Sequence, residues 1–355
     1  MGNYLHDLRK LGLTFSLALA TGWVFLHLGM PAPFMMGSLF GVWILGSAMP
    51  KLRPHLGVAR WFHVPVVLGL GVFIGSFFRG DIIAKSLAYA PTVMTMMGVT
   101  LLVTAISYAF LRRLRGYDKP TAMLCAIPGG QAEIIVVARE LVEKDYVVAL
   151  FHLTRVVFVF ISTPLLLGAV KGQDAVDQSN DLLQSMPMLT DLTPHQLVSF
   201  FGIAMGGYAL ARLARIPMPH LLGPVILSAG CHAIGVIDVP RIFEFVMLAQ
   251  LAIGGGVGAR LAQVRFGELM GYLKDAIANT TLILIIYFTA AVMVAYLLNL
   301  DLMGVWLAFV PGGLYEVTLL AVIFGFDIAF IAFHHTIRVM LIFTIMPYLA
   351  SRFRR

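Results

Sequence analysis

Two sets of residues in this sequence combine charged groups with an interrupted backbone, and both lie in stretches of mostly apolar residues. Each set begins with Pro-Gly-Gly, has a glutamate three residues after the second glycine, and continues with His-x-x-Arg. The first set is Pro128, Gly129, Gly130, Glu133, His152 and Arg155, and the second is Pro311, Gly312, Gly313, Glu316, His335 and Arg338. Because an ionisable group is unfavourable in apolar surroundings unless it is paired, these residues are the candidates for chemistry.

The Pro-Gly-Gly element predicts a break in a helix. Glycine permits backbone angles that other residues avoid, and proline lacks the N–H that a helix would use, so amide and carbonyl groups are left free. A helix that begins after Gly130 or Gly313 directs its positive end toward the break, which favours an anion there. We therefore assign substrate binding to both Pro-Gly-Gly elements and to Arg155 and Arg338. The alternative is a structural kink buried in helix packing.

The glutamates and histidines of the two sets are candidates for ion coupling. A glutamate three residues into a helix can cap free amide groups, and an intramembrane carboxylate can also bind a proton or a cation. Histidine and arginine at positions i and i+3 share one helix face, so the arginine can hold an anion while the histidine relays a proton. The alternative is a structural ion pair between arginine and glutamate. We assign coupling to Glu133, His152, Glu316 and His335.

The elements that carry these residues are membrane helices, because the composition excludes the other classes. Hydrophobic residues make up 59% of the 355 residues, charged residues make up 12%, and the mean hydropathy is +0.89, whereas soluble proteins carry about 25% charged residues. A soluble enzyme, a secreted disulfide scaffold and a nucleic-acid-binding domain are thereby excluded, and the two cysteines offer no metal spacing. The expected partners are the lipid bilayer and a small-molecule ligand, without nucleic acid, cofactor or metal. A homo-oligomer is compatible with the sequence.

Ten apolar segments have about the length that a membrane span needs. They lie at residues 11–27, 34–49, 61–78, 90–111, 146–170, 195–212, 221–237, 243–262, 276–299 and 328–350, and two further apolar stretches at 120–138 and 303–324 contain the Pro-Gly-Gly elements. The most polar segment, rich in aspartate, predicts an acidic extracytoplasmic linker at 171–194. It separates a first membrane repeat at 1–170 from a second at 195–355.

The two halves of the chain are copies of one another. The Pro-Gly-Gly and His-x-x-Arg elements recur at an offset of 183 residues, as does Gly71-x-x-x-Gly75 in the form Gly254-x-x-x-Gly258. A further element, Pro-x-Pro-x-x-x-Gly, begins at Pro31 and recurs at Pro217, three residues out of phase. This ordered recurrence indicates duplication of one unit, and the paired glycines predict close helix packing.

Lysine and arginine counts distinguish two topologies. If both Pro-Gly-Gly stretches are re-entrant hairpins, 19 of the 25 basic residues lie inside, 4 outside and 2 within spans. If both stretches cross the membrane, the division is 14 inside to 9 outside. The hairpin topology is favoured, and it places both termini in the cytoplasm of a multi-pass protein of the bacterial inner membrane. Because each repeat then has an odd number of spans, the prediction is an all-α polytopic membrane protein of about ten transmembrane helices in two inverted five-helix repeats.

The doubled pattern Pro-Gly-Gly-x-x-Glu, His-x-x-Arg and Pro-x-Pro-x-x-x-Gly resembles the bacterial AbrB-type membrane protein family. The resemblance covers nearly the whole chain. It implies a protein built from a duplicated hydrophobic module, and members of that family are labelled regulators of gene expression or ammonia monooxygenases.

Three functions are consistent with these residues. We expect a secondary transporter, and not an enzyme, that binds a small anionic metabolite at the midplane between the repeats and is coupled to protons or a cation. The alternative is a membrane-embedded regulator or sensor that detects a ligand in the same pocket, as the family label implies. Its short cytoplasmic loops offer little surface for a signalling output. A membrane monooxygenase is the third, and it would require copper or iron.

Overall fold

Every regular element in the part of the chain described by the computed structural model is a helix. The description covers residues 2–78, 87–129, 131–216, 218–240, 242–264 and 266–353. The α-helices are α1 Gly2–His27, α2 Pro33–Ala48, α3 Arg60–Gly75, α4 Ala90–Ala109, α5 Lys119–Ala126, α6 Gln131–Leu141, α7 Asp145–Lys171, α8 Gln173–Gln184, α9 Pro194–Leu213, α10 Pro219–Ala233, α11 Phe243–Ala262, α12 Phe266–Leu298, α13 Leu302–Phe309, α14 Leu314–Phe324 and α15 Ile328–Phe353. A π-helical turn at Phe110–Leu114 extends α4.

Each of the ten predicted apolar segments contains a helix. Among the described residues, five helices are long and apolar enough to cross a membrane: Ala90–Leu114, Asp145–Lys171, Pro194–Leu213, Phe243–Ala262 and Met270–Leu298. Shorter apolar helices lie at Pro33–Ala48, Arg60–Gly75 and Ile328–Ile342. The molecule is therefore a helical protein of the membrane type, and the number of ten spans stays a prediction.

Each Pro-Gly-Gly stretch is divided into two short helices, as the sequence predicts. The helices before the two breaks, α5 and α13, have 8 residues each, and those after the breaks, α6 and α14, have 11. At about 1.5 Å per residue, the longer ones reach about 17 Å, whereas the hydrocarbon core of a bilayer is about 30 Å thick. None of these four helices is long enough to cross a membrane by itself.

The acidic segment at 171–194, predicted as a linker, contains a helix, α8. Asp174, Asp177 and Asp181 are exposed along α8, whereas Val176 and Ser179 are buried. The three aspartates are spaced three and four residues apart, so they occupy one face of the helix. The segment is therefore an amphipathic helix with its acidic side outward.

The chain forms two compact units, and each unit draws on both halves of the sequence. The first unit consists of Met1–Ala84, Pro164–Val264 and Thr318–Ala329, and the second consists of Lys85–Thr163, Arg265–Val317 and Phe330–Arg355. The helices α7, α14 and α15 contribute residues to both units. All candidate site residues belong to the second unit.

Within the first unit, the paired glycines let helices approach at backbone distance. Helix α3 packs on α10, and α11 packs on α2. A Cβ atom added at Gly75 would lie 2.6 Å from the carbonyl oxygen of Val225, and one at Gly258 would lie 2.5 Å from that of Leu39. These two contacts are equivalent under the duplication, because each glycine has its counterpart in the other half and so has each carbonyl. Each half of the sequence thus packs one glycine-bearing helix against the other half.

The Pro-x-Pro elements adopt the same unusual turn in both halves. Ala32 has φ 48° and Met218 has φ 49°, and each is followed by the proline that begins a helix. A residue with a Cβ atom in this left-handed region is unfavourable by roughly 1–2 kcal/mol. The two copies therefore retain a matched, strained entry into α2 and α10.

Within the second unit, α4 and α12 are equivalent helices that pack against each other in opposite directions. The hydroxyl groups of Thr100 and Tyr287 are 2.9 Å apart, and seven residues later Ser107 donates to Oδ1 of Asn279 at 2.7 Å. As the residue number rises along α4, that of its partner falls along α12. The two helices are therefore antiparallel, although one is the sequence copy of the other.

Candidate ligand site at the two helix breaks

The short helix α5 is fixed at both ends by side chains. Asp118 caps its start, where Oδ2 accepts a backbone N–H at 3.0 Å. At the other end, Pro128 prevents the helix from continuing, so its last carbonyl groups have no partner within the helix. Arg155 of α7 supplies donors to this end: Nη2 donates to the carbonyl oxygen of Cys125 and Nη1 to that of Ile127, both at 2.7 Å.

The short helix α13 is fixed in the same way. Asp301 caps its start at 2.8 Å. Arg338 of α15 donates from Nη1 to the carbonyl oxygens of Phe309 and Val310, both at 2.9 Å, and from Nη2 to that of Gly312 at 3.2 Å. In both copies an arginine reaches a carbonyl group 28 residues before it. The duplication therefore preserves the contact as well as the motif.

The two histidines also bind the ends of the short helices. Nε2 of His152 lies 3.0 Å from the carbonyl oxygen of Leu124, and Nε2 of His335 lies 2.8 Å from that of Leu307. Because a carbonyl oxygen only accepts, Nε2 carries the proton in both rings. Nδ1 of His335 in turn lies 2.6 Å from Nη2 of Arg338, which donates to it. Both histidines therefore hold the end of a short helix, and His335 also positions Arg338, whereas the role of the histidines in proton relay stays a prediction.

The predicted pairing of arginine with glutamate stays a prediction. Two of the candidate site residues, Gly130 and the side chain of Glu133, lie outside the described residues. Glu316 is 3% exposed in the first turn of α14. Arg155 is 1% exposed and Arg338 is fully buried, and the two guanidinium groups are close enough for their charges to interact. The second unit thus buries a positive charge at each helix break.

Each break packs against the other half of the sequence. Gly129 has φ +108°, and a Cβ atom added to it would lie 3.2 Å from Cδ1 of Ile342 and 3.6 Å from Nε of Arg338. A Cβ atom at Gly312 would lie 3.5 Å from Cγ1 of Val159. Gly312 is the copy of Gly129, and Ile342 is the copy of Val159, so the two contacts are reciprocal. Reciprocal contacts of this kind are typical of a two-fold relationship between the copies.

Tyr287 belongs to the site, although the sequence analysis does not identify it. Its side chain is fully buried, its hydroxyl group lies 2.9 Å from that of Thr100, and it interacts electrostatically with Arg338. A phenolic hydroxyl in the middle of an apolar helix is the signal that could have revealed it. The repeat comparison could not, because Thr104 occupies the equivalent position in the first half.

The two ends of the first broken stretch meet around one residue, Tyr272. The rings of Tyr117, before α5, and Tyr272 are 6.2 Å apart, and Nζ of Lys144, after α6, donates to the Tyr272 hydroxyl at 3.0 Å. These residues line a cavity of about 760 Å³ together with Arg115 and Asp275, which form an ion pair. Tyr117 donates to Asp275 at 2.9 Å, and its burial and this hydrogen bond raise the pKa of the phenol above its ordinary value.

The fold and the site define a class: a duplicated helical protein of the membrane type, with a buried arginine bound to the backbone at each of two helix breaks. The chain belongs to the family described as "Transition state regulatory protein AbrB", which matches residues 43–354. The resemblance inferred from the doubled motifs is thereby confirmed.

Two relatives are similar over nearly their whole length. The chain is 24% identical over 335 residues to "Putative regulator AbrB" of Escherichia coli (strain K12), covering 94% of this chain and 93% of the relative. It is 22% identical over 363 residues to "Uncharacterized protein YhjN" of Bacillus subtilis (strain 168), covering 97% and 92%. The match therefore includes both repeats and both breaks.

Proposed function

We propose that this protein is a secondary transporter of a small anionic metabolite, in which the substrate binds where two inverted repeats meet. The two arginines carry the proposal, because they place buried positive charge at two helix breaks within one compact unit. The hydrogen bonds that hold Arg155 and Arg338 go to neutral carbonyl groups, so they fix the position of each charge without neutralising it. Broken helices with charged groups at the midplane are the usual binding elements of such transporters.

The inverted arrangement is supported by the direction of equivalent helices. If α4 and α12 are antiparallel copies, and both cross the bilayer, one repeat is inserted upside down relative to the other. The reciprocal contacts of Gly129 and Gly312 agree with a two-fold axis between the copies. An axis of this kind in the membrane plane would exchange the two sides of the binding site, which is the basis of alternating access.

The re-entrant hairpin is supported by the surroundings of Tyr272. Tyr117 precedes the broken stretch and Lys144 follows it, yet both contact this one side chain. A stretch that crossed the bilayer would place these residues about 30 Å apart along the membrane normal. Entry and exit on one side agree with five spans per repeat, which places both termini on the same side of the bacterial inner membrane. The lysine and arginine counts make that side the cytoplasm.

Glu133, Glu316, His152 and His335 couple transport to a proton or a cation in this proposal. Glu316 is buried beside the second break, where a change in its protonation would alter the charge next to bound substrate. In the same scheme the arginines and the backbone of the Pro-Gly-Gly elements hold the anion.

A membrane regulator is the second candidate, favoured by the name of the Escherichia coli relative. Such a protein would bind the same anion and would not move it across the membrane. The two candidates therefore share a site and differ in flux.

Uptake into liposomes separates the two candidates. Purified protein is reconstituted, and uptake of labelled mono- and dicarboxylates is measured with and without an imposed pH or sodium gradient. We expect gradient-dependent accumulation of at least one carboxylate, which Arg338→Gln abolishes. Arg113→Gln, an exposed arginine on the turn that extends α4, is the control and should retain uptake.

Because Arg338→Gln also removes three contacts to backbone carbonyls, Glu316→Gln is the second variant. It preserves side-chain shape and should be folded, and it should bind the carboxylate without accumulating it under a gradient. Binding of carboxylates by the unmodified protein with no uptake under any gradient would contradict transport and support the sensor.

A further inference from the structure

We infer that the substrate is an amphipathic carboxylate. Its hydrocarbon part occupies a cavity that lies beside the first break and has no open counterpart beside the second. This inference rests on the proposed function. The cavity has a volume of about 450 Å³, within the range of small-molecule sites. It lies between α4, the first break and α15, and its wall includes Thr100, Thr104, Ala105, Pro128 and Ile342. Residues from both repeats thus form one predominantly apolar cavity.

The equivalent space beside the second break is filled by larger side chains. At an offset of 183 residues, Thr104 becomes Tyr287, Ala105 becomes Phe288, and Met123 becomes Trp306. Tyr287 is fully buried and Trp306 is 1% exposed. The rings of Phe288 and Trp306 lie 5.5 Å apart, and Nε1 of Trp306 donates to Thr163 at 3.2 Å.

The duplication is therefore asymmetric at the positions that decide whether a ligand fits. In the first copy, the small side chains of Thr104 and Ala105 leave space for a ligand. In the second copy, the aromatic rings of Tyr287 and Phe288 occupy the equivalent space. Protein interiors are close-packed, so a cavity retained in one copy and filled in the other indicates a place for a ligand. The two breaks accordingly have different roles: the first borders the ligand's hydrocarbon part, and the second holds the arginine that binds its charge.

Arg338 determines that the polar end of the ligand should carry a negative charge. Nε of this arginine is buried and has no hydrogen-bond partner among the described residues. It lies next to Gly129, whose missing side chain leaves the guanidinium adjacent to the cavity wall at Pro128 and Ile342. Arg338 does not itself line the cavity, so a carboxylate that enters past Gly129 would accept the unused N–H while its hydrocarbon part lies against the apolar wall. A neutral molecule of the same shape would leave the donor unsatisfied.

Matched pairs of ligands and variants test this inference. Binding of hexanoate and of its neutral amide, hexanamide, is measured from the shift in melting temperature of the protein in lipid nanodiscs. We expect hexanoate to bind about tenfold or more tightly than hexanamide, because a hydrogen bond to a charged group is worth about 1.5–3 kcal/mol. Acetate, which lacks the hydrocarbon part, should bind more weakly than hexanoate.

Two cavity-filling variants copy the second repeat into the first: Thr104→Tyr and Ala105→Phe. Each should weaken hexanoate binding about tenfold or more, while the melting temperature without ligand shows that the protein is folded. Leu102→Phe is the control, because Leu102 lies on the same helix, is 53% exposed and does not line the cavity. It should leave hexanoate binding unchanged.

The outcomes distinguish this inference from the proposed function. Equal binding of hexanoate and hexanamide, or unchanged hexanoate binding in both filled variants, would overturn the inference and leave the cavity to a lipid acyl chain. Acetate uptake that is lost in Arg338→Gln and unaffected by the filled variants would keep the transporter and overturn the cavity as its ligand site. Absence of binding by every carboxylate would overturn both.

Discussion

Nε of Arg338 lies 3.6 Å from the position that a Cβ atom of Gly129 would occupy. Gly129 belongs to the first break, and Arg338 is bound to the carbonyl groups of the second, so this contact joins the two breaks directly. A side chain added at Gly129 should therefore displace the guanidinium group of Arg338. This relationship gives the first prediction.

Gly129→Ala should lower ligand binding and stability together. The new methyl group would be 3.2 Å from Ile342, and the φ of +108° is unfavourable for alanine by roughly 1–3 kcal/mol. Gly116→Ala is the matched control, since Gly116 also has a positive φ, of +75°, but has open space around it. Comparable losses of melting temperature and of carboxylate binding in the two variants would show that proximity to Arg338 is irrelevant.

Glu133→Gln and Glu316→Gln separate ion coupling from a structural ion pair. If the carboxylates serve coupling, each variant should fold and lose gradient-driven transport, because glutamine keeps the shape and a hydrogen-bond acceptor but not the charge. If they only neutralise the arginines, each variant should lose about 3–5 kcal/mol of stability. Adding Arg155→Gln to Glu133→Gln should then restore the melting temperature, and that rescue with activity intact would rule out coupling.

Labelling of single cysteines tests the hairpin. Cysteines replacing Arg113 and Glu143 flank the first broken stretch, and one replacing Gln178 lies on the acidic helix α8. We expect the first two to react with an impermeant reagent from one side and the third from the other, because Tyr117 and Lys144 meet at Tyr272. Reaction of the Glu143 site together with the Gln178 site would make the stretch a full span and remove the basis for inverted repeats.

The sequence predicts the ends of a helix closely where hydropathy alone determines them. It predicts them less well where a residue distant in the sequence stabilises a polar residue of the helix. Helix α11 occupies the predicted residues 243–262, whereas α12 begins at Phe266, ten residues before the apolar segment at 276–299. The difference arises because Asp275 marks a polar boundary in the sequence. In the structure, Asp275 is bound by Arg115 and Tyr117 from more than 150 residues away, so the helix continues through it.

The site shows the same division between what is local and what is not. The motif identifies both arginines, but their partners are backbone carbonyl groups. Every residue has such a group, so the sequence does not indicate which ones the arginines contact. The asymmetry between Thr104 and Tyr287 is visible in the repeat, yet only the packing shows that one copy leaves a cavity and the other fills it.

Close packing in the first unit gives the last prediction. Gly258→Ala should destabilise the protein by roughly 1–3 kcal/mol, because the added Cβ would lie 2.5 Å from the carbonyl oxygen of Leu39 and backbone must move to admit it. In Gly256→Ala, on the same helix, the added Cβ would meet only the side chain of Val58, at 3.7 Å from Cγ2 and 3.9 Å from Cβ. It should be neutral or stabilising by up to about 1 kcal/mol, since alanine favours a helix over glycine. Melting temperatures of the two variants in one detergent provide the comparison, and equal values would contradict backbone-distance packing of α11 on α2.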